Sequence, residues 1–283
     1  MEIITGATTH INYRLFGYKA VAHILITVDP LQADQVEKYL QKMPWVYNFY
    51  SRGTKGNIDV IAILTTLEQL NEIKDLFKRN FTVLELKTGI WTDVKEMNQN
   101  IAITNNIRKS SLEATNIAPK LEIRKKSAKV VIDEIDLKIA DILAEDGRIS
   151  MEAIGKKIDI SAELARKKYE KLRDNGLLKI TIQINLKKIG YTAMCIFFTV
   201  ISGENSLSII QQISKIPEVI SIMKTTGDYD LQIYAIVQNI DQLLFIQEEI
   251  SKIKGINKIE LELLRFSNML TKWPSPRQYI STF

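Results

Sequence analysis

Hydrophobic residues recur at helical spacing from residue 132 onward. Ile135, Ile139 and Leu143 fall on one face of the segment 132–146, which predicts a first helix. Gly147 ends this pattern, and Ser150 is a suitable cap for a second, shorter helix over SMEAIGKKI. The segment therefore predicts two consecutive short helices.

A third helix is predicted after a tight turn at Asp159 and Ile160. Ser161 can cap its first turn, and the sequence AELARKKYEKLRDN leads to Gly176, which can take the positive φ common at a helix C-terminus. Three short helices with a short turn before the last one predict a helix-turn-helix. The last helix of this motif enters the major groove of double-stranded DNA.

The third predicted helix is strongly basic. Arg166, Lys167 and Lys168 are consecutive, which favours DNA contact, although single cations on a helix usually form only its solvated face. We expect Lys168 and Lys171 to bind phosphates, and Arg166 to influence sequence choice together with the residues at the helix start. The predicted DNA-binding residues are Ser161, Ala162, Glu163, Arg166, Lys167, Lys168, Lys171 and Arg173.

The distribution of charge supports this interpretation. The 283-residue chain has a net charge of +5, and residues 99–190 hold 19 lysines and arginines against 13 aspartates and glutamates. An excess of positive charge confined to one segment is typical of a nucleic-acid-binding surface. No apolar stretch approaches the roughly 18 residues that cross a membrane, so we expect a cytoplasmic protein without a membrane partner.

The residues on either side of the three helices show strand and helix patterns in one shared order. AHILITV and MCIFFTV are each followed by an amphipathic helix, two further strands, a second helix and a final strand. This β-α-β-β-α-β order predicts two ferredoxin-like domains of the α+β class, with both helices on one face of a four-stranded sheet. We expect the other, apolar sheet face to meet a partner.

The two patterns form an internal repeat with an offset of 173 residues. Ile11, Asn12, Gly17 and Tyr18 fall on Ile184, Asn185, Gly190 and Tyr191. Several identities at one fixed offset indicate a duplication. In the hairpin turns, Gly56 and Asn57 of the first repeat are interpreted as the counterparts of Gly227 and Asp228.

The series of motifs resembles the leucine-responsive and asparagine-synthase regulator (Lrp/AsnC) family of bacterial and archaeal transcription regulators. The resemblance rests on DGRIS at 146–150, NGLL at 175–178, the Ile-Asn and Gly-Tyr pairs within 184–191, and GDYD at 227–230. It implies a winged helix-turn-helix, a linking strand, and a regulatory domain that dimerises through its sheet and often binds an amino acid between dimers. We therefore expect a sequence-specific DNA-binding transcription regulator that forms a homodimer or a larger even assembly.

The chain departs from the family pattern in two places. Asp159 stands where the family usually has glycine, and aspartate tolerates the left-handed backbone of that turn. A second regulatory domain stands at the N-terminus with no helix-turn-helix ahead of it, so either an ancestral tandem lost its first one or the true start lies upstream. The predicted order is a regulatory domain at 1–98, a basic polar linker at 99–130, the helix-turn-helix at 131–180, and a second regulatory domain with a C-terminal tail at 181–283.

The GDYD loop has two interpretations. Glycine and aspartate suit a hairpin turn, and they could also hold an amino-acid effector through backbone N–H groups and carboxylates. The predicted effector-binding residues are Thr226, Gly227, Asp228 and Asp230. Because the first repeat has Asn57 in place of the aspartate, we expect any effector in the second regulatory domain.

No catalytic motif, metal-ligand cluster or cofactor-binding loop is found in the sequence, so no catalytic residue, metal or cofactor is predicted. The histidines are His10 and His23, and we expect His23 to be a hydrogen-bonded core or interface residue. Some tandem proteins that resemble this family are decarboxylases of sirohaem-type tetrapyrroles and are expected to need histidine and arginine. Such an enzyme, or a ligand sensor of the same fold that does not bind DNA, is the alternative function.

Overall fold

The computed structural model describes residues 4–11, 18–96, 131–203 and 206–264. The predicted linker (99–130) and the tail beyond residue 264 lie outside these ranges. The strands are β1 (Ile4–Ile11), β2 (Ala20–Val28), β3 (Val46–Ser51), β4 (Asn57–Leu64), β5 (Val83–Glu96), β6 (Leu178–Ile184), β7 (Ala193–Ile201), β8 (Val219–Gly227), β9 (Leu231–Val237) and β10 (Ile256–Leu264). The helices are α1 (Ala33–Leu40), α2 (Gln69–Asn80), α3 (Glu134–Glu145), α4 (Met151–Ile158), α5 (Ala162–Asp174), α6 (Ser206–Ile213) and α7 (Ile240–Ser251). In these ranges no helix is long and apolar enough to span a bilayer.

Two parts of the chain have the predicted β-α-β-β-α-β order. We call residues 20–96 the first unit and residues 193–264 the second unit. The strands lie in the order β5-β2-β4-β3 in the first unit and β10-β7-β9-β8 in the second. The helices of each unit bury apolar side chains against one sheet face, as Phe77 and Leu40 do in the first unit and Ile213 and Ile246 do in the second.

The other faces of the two sheets pack against each other. Leu25 and Ile61 of the first unit join Ile196, Phe198 and Ile236 of the second in one buried cluster. The sheets are also continuous, because the 14-residue strand β5 pairs with β2 of its own unit and with β8 of the second unit. The partner predicted for the apolar sheet face is therefore the other unit of the same chain.

Helices α3, α4 and α5 form the predicted helix-turn-helix. Asp133 and Asp136 form a capping box at the start of α3, in which each side chain accepts a hydrogen bond from the backbone N–H of the other residue. Ile139, Leu143 and Leu172 are fully buried and belong to the same apolar cluster as the core of the first unit. The helix-turn-helix thus packs as an extension of that core.

Strands β1 and β6 pair into a separate antiparallel ribbon. Thr8 lies opposite Thr181, and the repeat offset relates these same two positions, so the ribbon is symmetric about its centre. The hydroxyl of Thr9 donates to the carbonyl oxygen of Leu143 at 2.6 Å, which fixes β1 to the C-terminal end of α3.

The family resemblance predicted a wing, which is a β-hairpin that follows the last helix of the motif. The described residues after α5 do not form such a hairpin, so this prediction is wrong. Gly176 takes a φ of 69°, and Leu177 and Leu178 are buried immediately afterwards. Because this burial directs the chain straight into β6, which pairs with β1, no separate hairpin forms between residues 174 and 184.

Candidate DNA-binding and ligand-binding surfaces

The start of α5 is positioned by the turn before it. Asp159 takes the left-handed conformation, with a φ of 59°, as the sequence suggested. The Ser161 hydroxyl accepts a hydrogen bond from the N–H of Leu164 at 3.1 Å, so the predicted cap is confirmed. Sequence reasoning missed Gly155, where a Cβ atom would lie 2.6 Å from the carbonyl oxygen of Ile160. The close approach of α4 to the turn therefore requires glycine at this position.

Two of the predicted DNA-binding lysines form ion pairs inside the domain. The Nζ atom of Lys171 lies 2.5 Å from the buried carboxylate of Asp136 and 2.7 Å from the carbonyl oxygen of Val131. Lys168 pairs with Asp133 and Asp136, and its hydrogen bond to Asp133 lowers the pKa of that carboxyl to about 2. Both lysines thus hold α5 against the start of α3, a contact that the charge pattern of one helix cannot reveal.

The other predicted DNA-binding residues of α5 are more accessible. Arg166, Lys167 and Glu163 are exposed, and Ala162 is half-buried in the first turn. Arg173 is exposed as well, but it pairs with Asp174 at 2.8 Å and lies over the ring of Tyr169. The cations of α5 that face solvent without an ion pair among the described residues are therefore Arg166 and Lys167.

Two lysines of α4 extend this exposed charge. Lys156 and Lys157 lie in the last turn of α4, and both are exposed. Lys156 and Arg166 both lie close enough to Glu152 to help lower its pKa, after its backbone and Ser150 hydrogen bonds. We call the four exposed cations of the two helices, Lys156, Lys157, Arg166 and Lys167, the basic surface. The sequence contained the signal for Lys156 and Lys157, but the prediction considered only the third helix.

Of the four predicted effector residues, two maintain contacts between strands and two are exposed to solvent. The Asp230 carboxylate accepts a hydrogen bond from the N–H of Ile201 at 2.8 Å and so connects the start of β9 to β7. Gly227 has a φ of 112°, and a Cβ atom there would lie 2.4 Å from the carbonyl oxygen of Thr88 in β5. Thr226 and Asp228 are exposed.

Thr226 and Asp228 line a shallow cleft between the two units. The cleft walls come from β2 and β5 of the first unit and from the β8–β9 turn of the second unit. Lys87 and Asp228 bring opposite charges to this cleft, and Gly89 leaves its wall without a side chain. The sequence prediction placed the effector residues in the second domain alone, whereas the first unit contributes half of the lining.

A buried polar cluster forms the floor of the cleft. The Nε2 atom of His23 lies 2.5 Å from an Asp59 carboxylate oxygen, and its Nδ1 atom lies 2.8 Å from the side-chain nitrogen of Gln232. The Gln232 carbonyl oxygen accepts a hydrogen bond from the indole N–H of Trp91 at 3.1 Å. Burial, followed by the charge of Asp59, raises the pKa of Tyr50 well above its usual value. His23 is therefore a hydrogen-bonded interface residue, as predicted, and its hydrogen bond reaches across to the second unit.

The units meet again at a second junction, where Arg52, the residue after edge strand β3, contacts edge strand β10. There the guanidinium of Arg52 pairs with the carboxylate of Glu262, and burial raises the pKa of Glu262 in spite of this cation. The repeat offset relates Arg52 to Thr225 and Glu262 to Gly89, which belong to the first junction between β5 and β8. Equivalent positions thus carry an ion pair at one junction and small residues at the other.

The strand registers correct one equivalence drawn from the sequence. Ile26 pairs with Ile58 in the first unit as Thr199 pairs with Leu231 in the second, and both positions differ by the repeat offset. On this register Asn57 corresponds to Asp230, not to Asp228. The predicted correspondence was wrong because Gly56 and Gly227 occupy different positions in their turns.

Two family models match the chain. Residues 132–173 match the AsnC-type helix-turn-helix domain, and residues 195–264 match the Lrp/AsnC ligand binding domain. The first match covers α3, α4 and most of α5, and the second lies in the second unit.

Known proteins of two kinds are similar to the chain. An uncharacterized HTH-type transcriptional regulator of Pyrococcus horikoshii is 30% identical over 155 residues, which cover 54% of this chain and 96% of that protein. The HTH-type transcriptional regulator Ptr1 of Methanocaldococcus jannaschii is 29% identical over 142 residues, 49% of this chain and 96% of that protein. The crystal structure of the siroheme decarboxylase NirDL matches 99% of this chain and 83% of its own, with a TM-score of 0.63 and 16% identity. At this identity, the last likeness concerns the fold.

Proposed function

Because the chain belongs to the Lrp/AsnC family of helix-turn-helix transcription regulators, we propose that it binds specific DNA sequences and regulates transcription as an assembly of two or more chains. The observation that carries this proposal is the capped helix α5 and its basic surface of exposed cations. Cations so placed neutralise phosphates, and an arginine at a groove can read guanine with two hydrogen bonds.

The need for at least two chains follows from the number of DNA-reading helices. The described residues contain one helix-turn-helix, and one such motif reads about one half-site. A second motif is needed roughly 34 Å away along the DNA, or a multiple of that distance. Because the apolar sheet faces are buried within the chain, we propose that chains associate through other surfaces.

Selection of binding sites from randomised DNA tests the role of the basic surface. Arg166→Ala should change the selected sequence, whereas Lys167→Ala should weaken binding to all DNA and reduce the salt slope by about 1. Lys252→Ala, which removes an exposed lysine of the second unit, is the matched control and should change neither. An unchanged motif for Arg166→Ala would reject its assignment, and tight binding by a monomeric protein would reject the paired assembly.

We also propose that a small effector with both an ammonium and a carboxylate group, such as an amino acid, binds at the cleft between the units, which must widen to admit it because it now has room for about one water molecule. Asp228 would accept from the ammonium group and Lys87 would face the carboxylate, each interaction contributing roughly 1.5–3 kcal/mol where it is desolvated. Thermal-shift screening of the twenty amino acids against the natural protein, Asp228→Asn and Lys87→Gln is the test. A shift that survives both substitutions unchanged would place the effector elsewhere.

A tetrapyrrole-binding enzyme is the second candidate. Two observations favour it: the fold-level likeness to NirDL extends over nearly the whole chain, and His23 lines the cleft. The first function is supported better, because relatives at 29–30% identity are HTH-type transcriptional regulators, whereas the likeness to NirDL, at 16% identity, concerns the fold. Titration with an iron tetrapyrrole, followed by absorbance, separates the two. A stoichiometric Soret change that His23→Gln abolishes would favour the enzyme.

For the organisation of the chain, we propose regulatory domains at 1–98 and 181–283, the linker at 99–130 and the helix-turn-helix at 131–180. The shared β-α-β-β-α-β order and the single repeat offset support an origin of the two regulatory domains by duplication. Limited proteolysis should cut first within 99–130. Early cleavage inside either unit would argue against these boundaries.

A further inference from the structure

The two units are related by an approximate two-fold axis. The residues that one unit brings to the contact nevertheless differ from the residues at the equivalent positions of the other unit. Thr8 opposite Thr181 marks this axis in the ribbon, and the two junctions lie at equivalent positions. From this geometry we infer that the buried sheet faces form a heterologous pair. The first-unit face fits the second-unit face and excludes a copy of itself, so two chains cannot associate by pairing like units.

The polar cluster is the first reason for this exclusion. A pair of first units built in the same way would place Asp59 where Gln232 now lies. Two His23 imidazoles and two Asp59 carboxylates would then share the site, and each imidazole would lie between two carboxylates, in a site where Asp59 is 0% and Gln232 1% exposed. Like charges without solvent strongly disfavour each other.

A pair of second units would fail for the opposite reason. Ile196 occupies the position of His23, and Leu264 that of Trp91. The amide of Gln232 would therefore lose both of its present side-chain partners while remaining buried. A buried amide without hydrogen bonds is destabilising.

The second junction imposes the same choice. In a pair of first units, Gly89 would take the place of Glu262, and Arg52 would lose its carboxylate partner, although Arg52 is only 8% exposed. In a pair of second units, Thr225 would take the place of Arg52, and Glu262 would lose its cation. In either pair of like units, a charged side chain would therefore lose the opposite charge that neutralises it in the observed pairing.

A substitution of Gln232 by aspartate places a second carboxylate beside His23 inside the intact chain, as a pair of first units would, although without the second histidine. The side chains introduced by Gln232→Asp and Gln232→Asn have the same size and differ in charge. We therefore expect the melting temperature to fall by about 10 °C for the aspartate variant and by about 3 °C for the asparagine variant. Adding Asp59→Gln to Gln232→Asp restores a single carboxylate and should recover most of the loss. The same glutamine-to-aspartate change at exposed residue 238 is the control and should have little effect. Equal losses for Asp and Asn, or no recovery in the double variant, would overturn the inference.

Cross-linking of the otherwise natural chain tests the exclusion directly. Like-unit pairing would bring residue 8 of one chain opposite residue 8 of another, as Thr8 now lies opposite Thr181. Thr8→Cys alone should give no disulfide-linked dimer under mild oxidation, because the natural Cys195 is fully buried. Thr8→Cys with Thr181→Cys should give an intrachain disulfide and proves that the positions can react. A linked dimer from Thr8→Cys alone would overturn the inference.

Discussion

The two junctions between the units join equivalent positions by different chemistry. At the first junction β5 and β8 form a backbone ladder, in which Gly89 lies opposite Gly227. At the second junction, Arg52, the residue after β3, forms a side-chain ion pair with Glu262 of β10. The ladder needs positions without side chains, since a Cβ atom on Gly89 would lie 2.6 Å from the carbonyl oxygen of Thr226. The two units thus pair in a nearly symmetric way, and the asymmetry comes from a few positions. The first junction has small residues at these positions, and the second has large charged side chains.

This difference has a consequence for where a ligand can enter. The small residues of the first junction leave the cleft open beside the ladder, whereas the side chains of Arg52 and Glu262 occupy the equivalent space at the second. The backbone ladder carries no net charge, whereas the largely buried ion pair leaves an unpaired charge if one partner is removed. The two junctions should therefore respond differently to substitution.

The largest effect is expected at the first junction. Gly227→Ala adds a Cβ atom 2.4 Å from the carbonyl oxygen of Thr88 and forces a non-glycine residue into a φ of 112°. We expect a loss of about 3 kcal/mol in the free energy of unfolding, measured by chemical denaturation. Gly53→Ala is the matched control, because Gly53 also has a positive φ but open space around it, and it should lose about 1 kcal/mol. Equal losses would show that the close strand approach is unimportant.

The second junction should give a smaller effect. Arg52→Ala leaves Glu262 partly buried without its cation, and we expect a loss of roughly 2 kcal/mol in the free energy of unfolding, measured by chemical denaturation. Adding Glu262→Gln should recover part of the loss, because a neutral amide needs no cation. Purely additive losses in the double variant would mean that the ion pair contributes nothing specific.

The ion pairs between α5 and α3 can be compared with the two junctions, because they too are made by side chains. Lys171→Ala removes the closest cation from buried Asp136 and should cost about 1–2 kcal/mol. Lys167→Ala, on the exposed side of the same helix, should leave stability within about 0.5 kcal/mol of the natural protein. If thermal denaturation gave the reverse order, Lys171 would be better assigned to DNA, as the sequence first suggested.

The smallest effect concerns pH. The hydrogen bond from Lys168 lowers the pKa of Asp133 from 3.8 to about 2, so this carboxylate stabilises the fold above about pH 4. The contribution is lost as the pH falls towards 2, and it stays below about 1 kcal/mol because Asp133 is half-exposed. Asp133→Asn should lower the melting temperature slightly at pH 6 and leave it unchanged near pH 2. A deficit that is constant across this range would contradict the assignment.

Local signals predicted the helix-turn-helix closely. Ser150 and Ser161 cap their helices as expected, because a cap depends only on residues within one turn. The order of strands and helices in both units was predicted as well, because the spacing of apolar residues along each element is also a local signal. The absent wing was not, because the burial of Leu177 and Leu178 depends on β1, which is distant in sequence.

The contacts between the units could not be predicted from the repeat. The repeat offset matches His23 with Ile196, so the repeat itself does not indicate which residue the histidine contacts. The structure shows that His23 acts across the approximate two-fold axis, through Gln232, rather than at its own repeat position. Likewise, Lys168 looked like a phosphate ligand because the pattern of one helix cannot show that Asp133 lies beside it.

The hydrogen bond between Thr9 and the end of α3 makes β1 a mechanical linkage. Strand β1 leads into the first unit, whereas its ribbon partner β6 leads from α5 towards the second unit. A displacement of β1 against β6 would therefore be transmitted, through Thr9, to the end of α3, and so to the helix-turn-helix that carries α5.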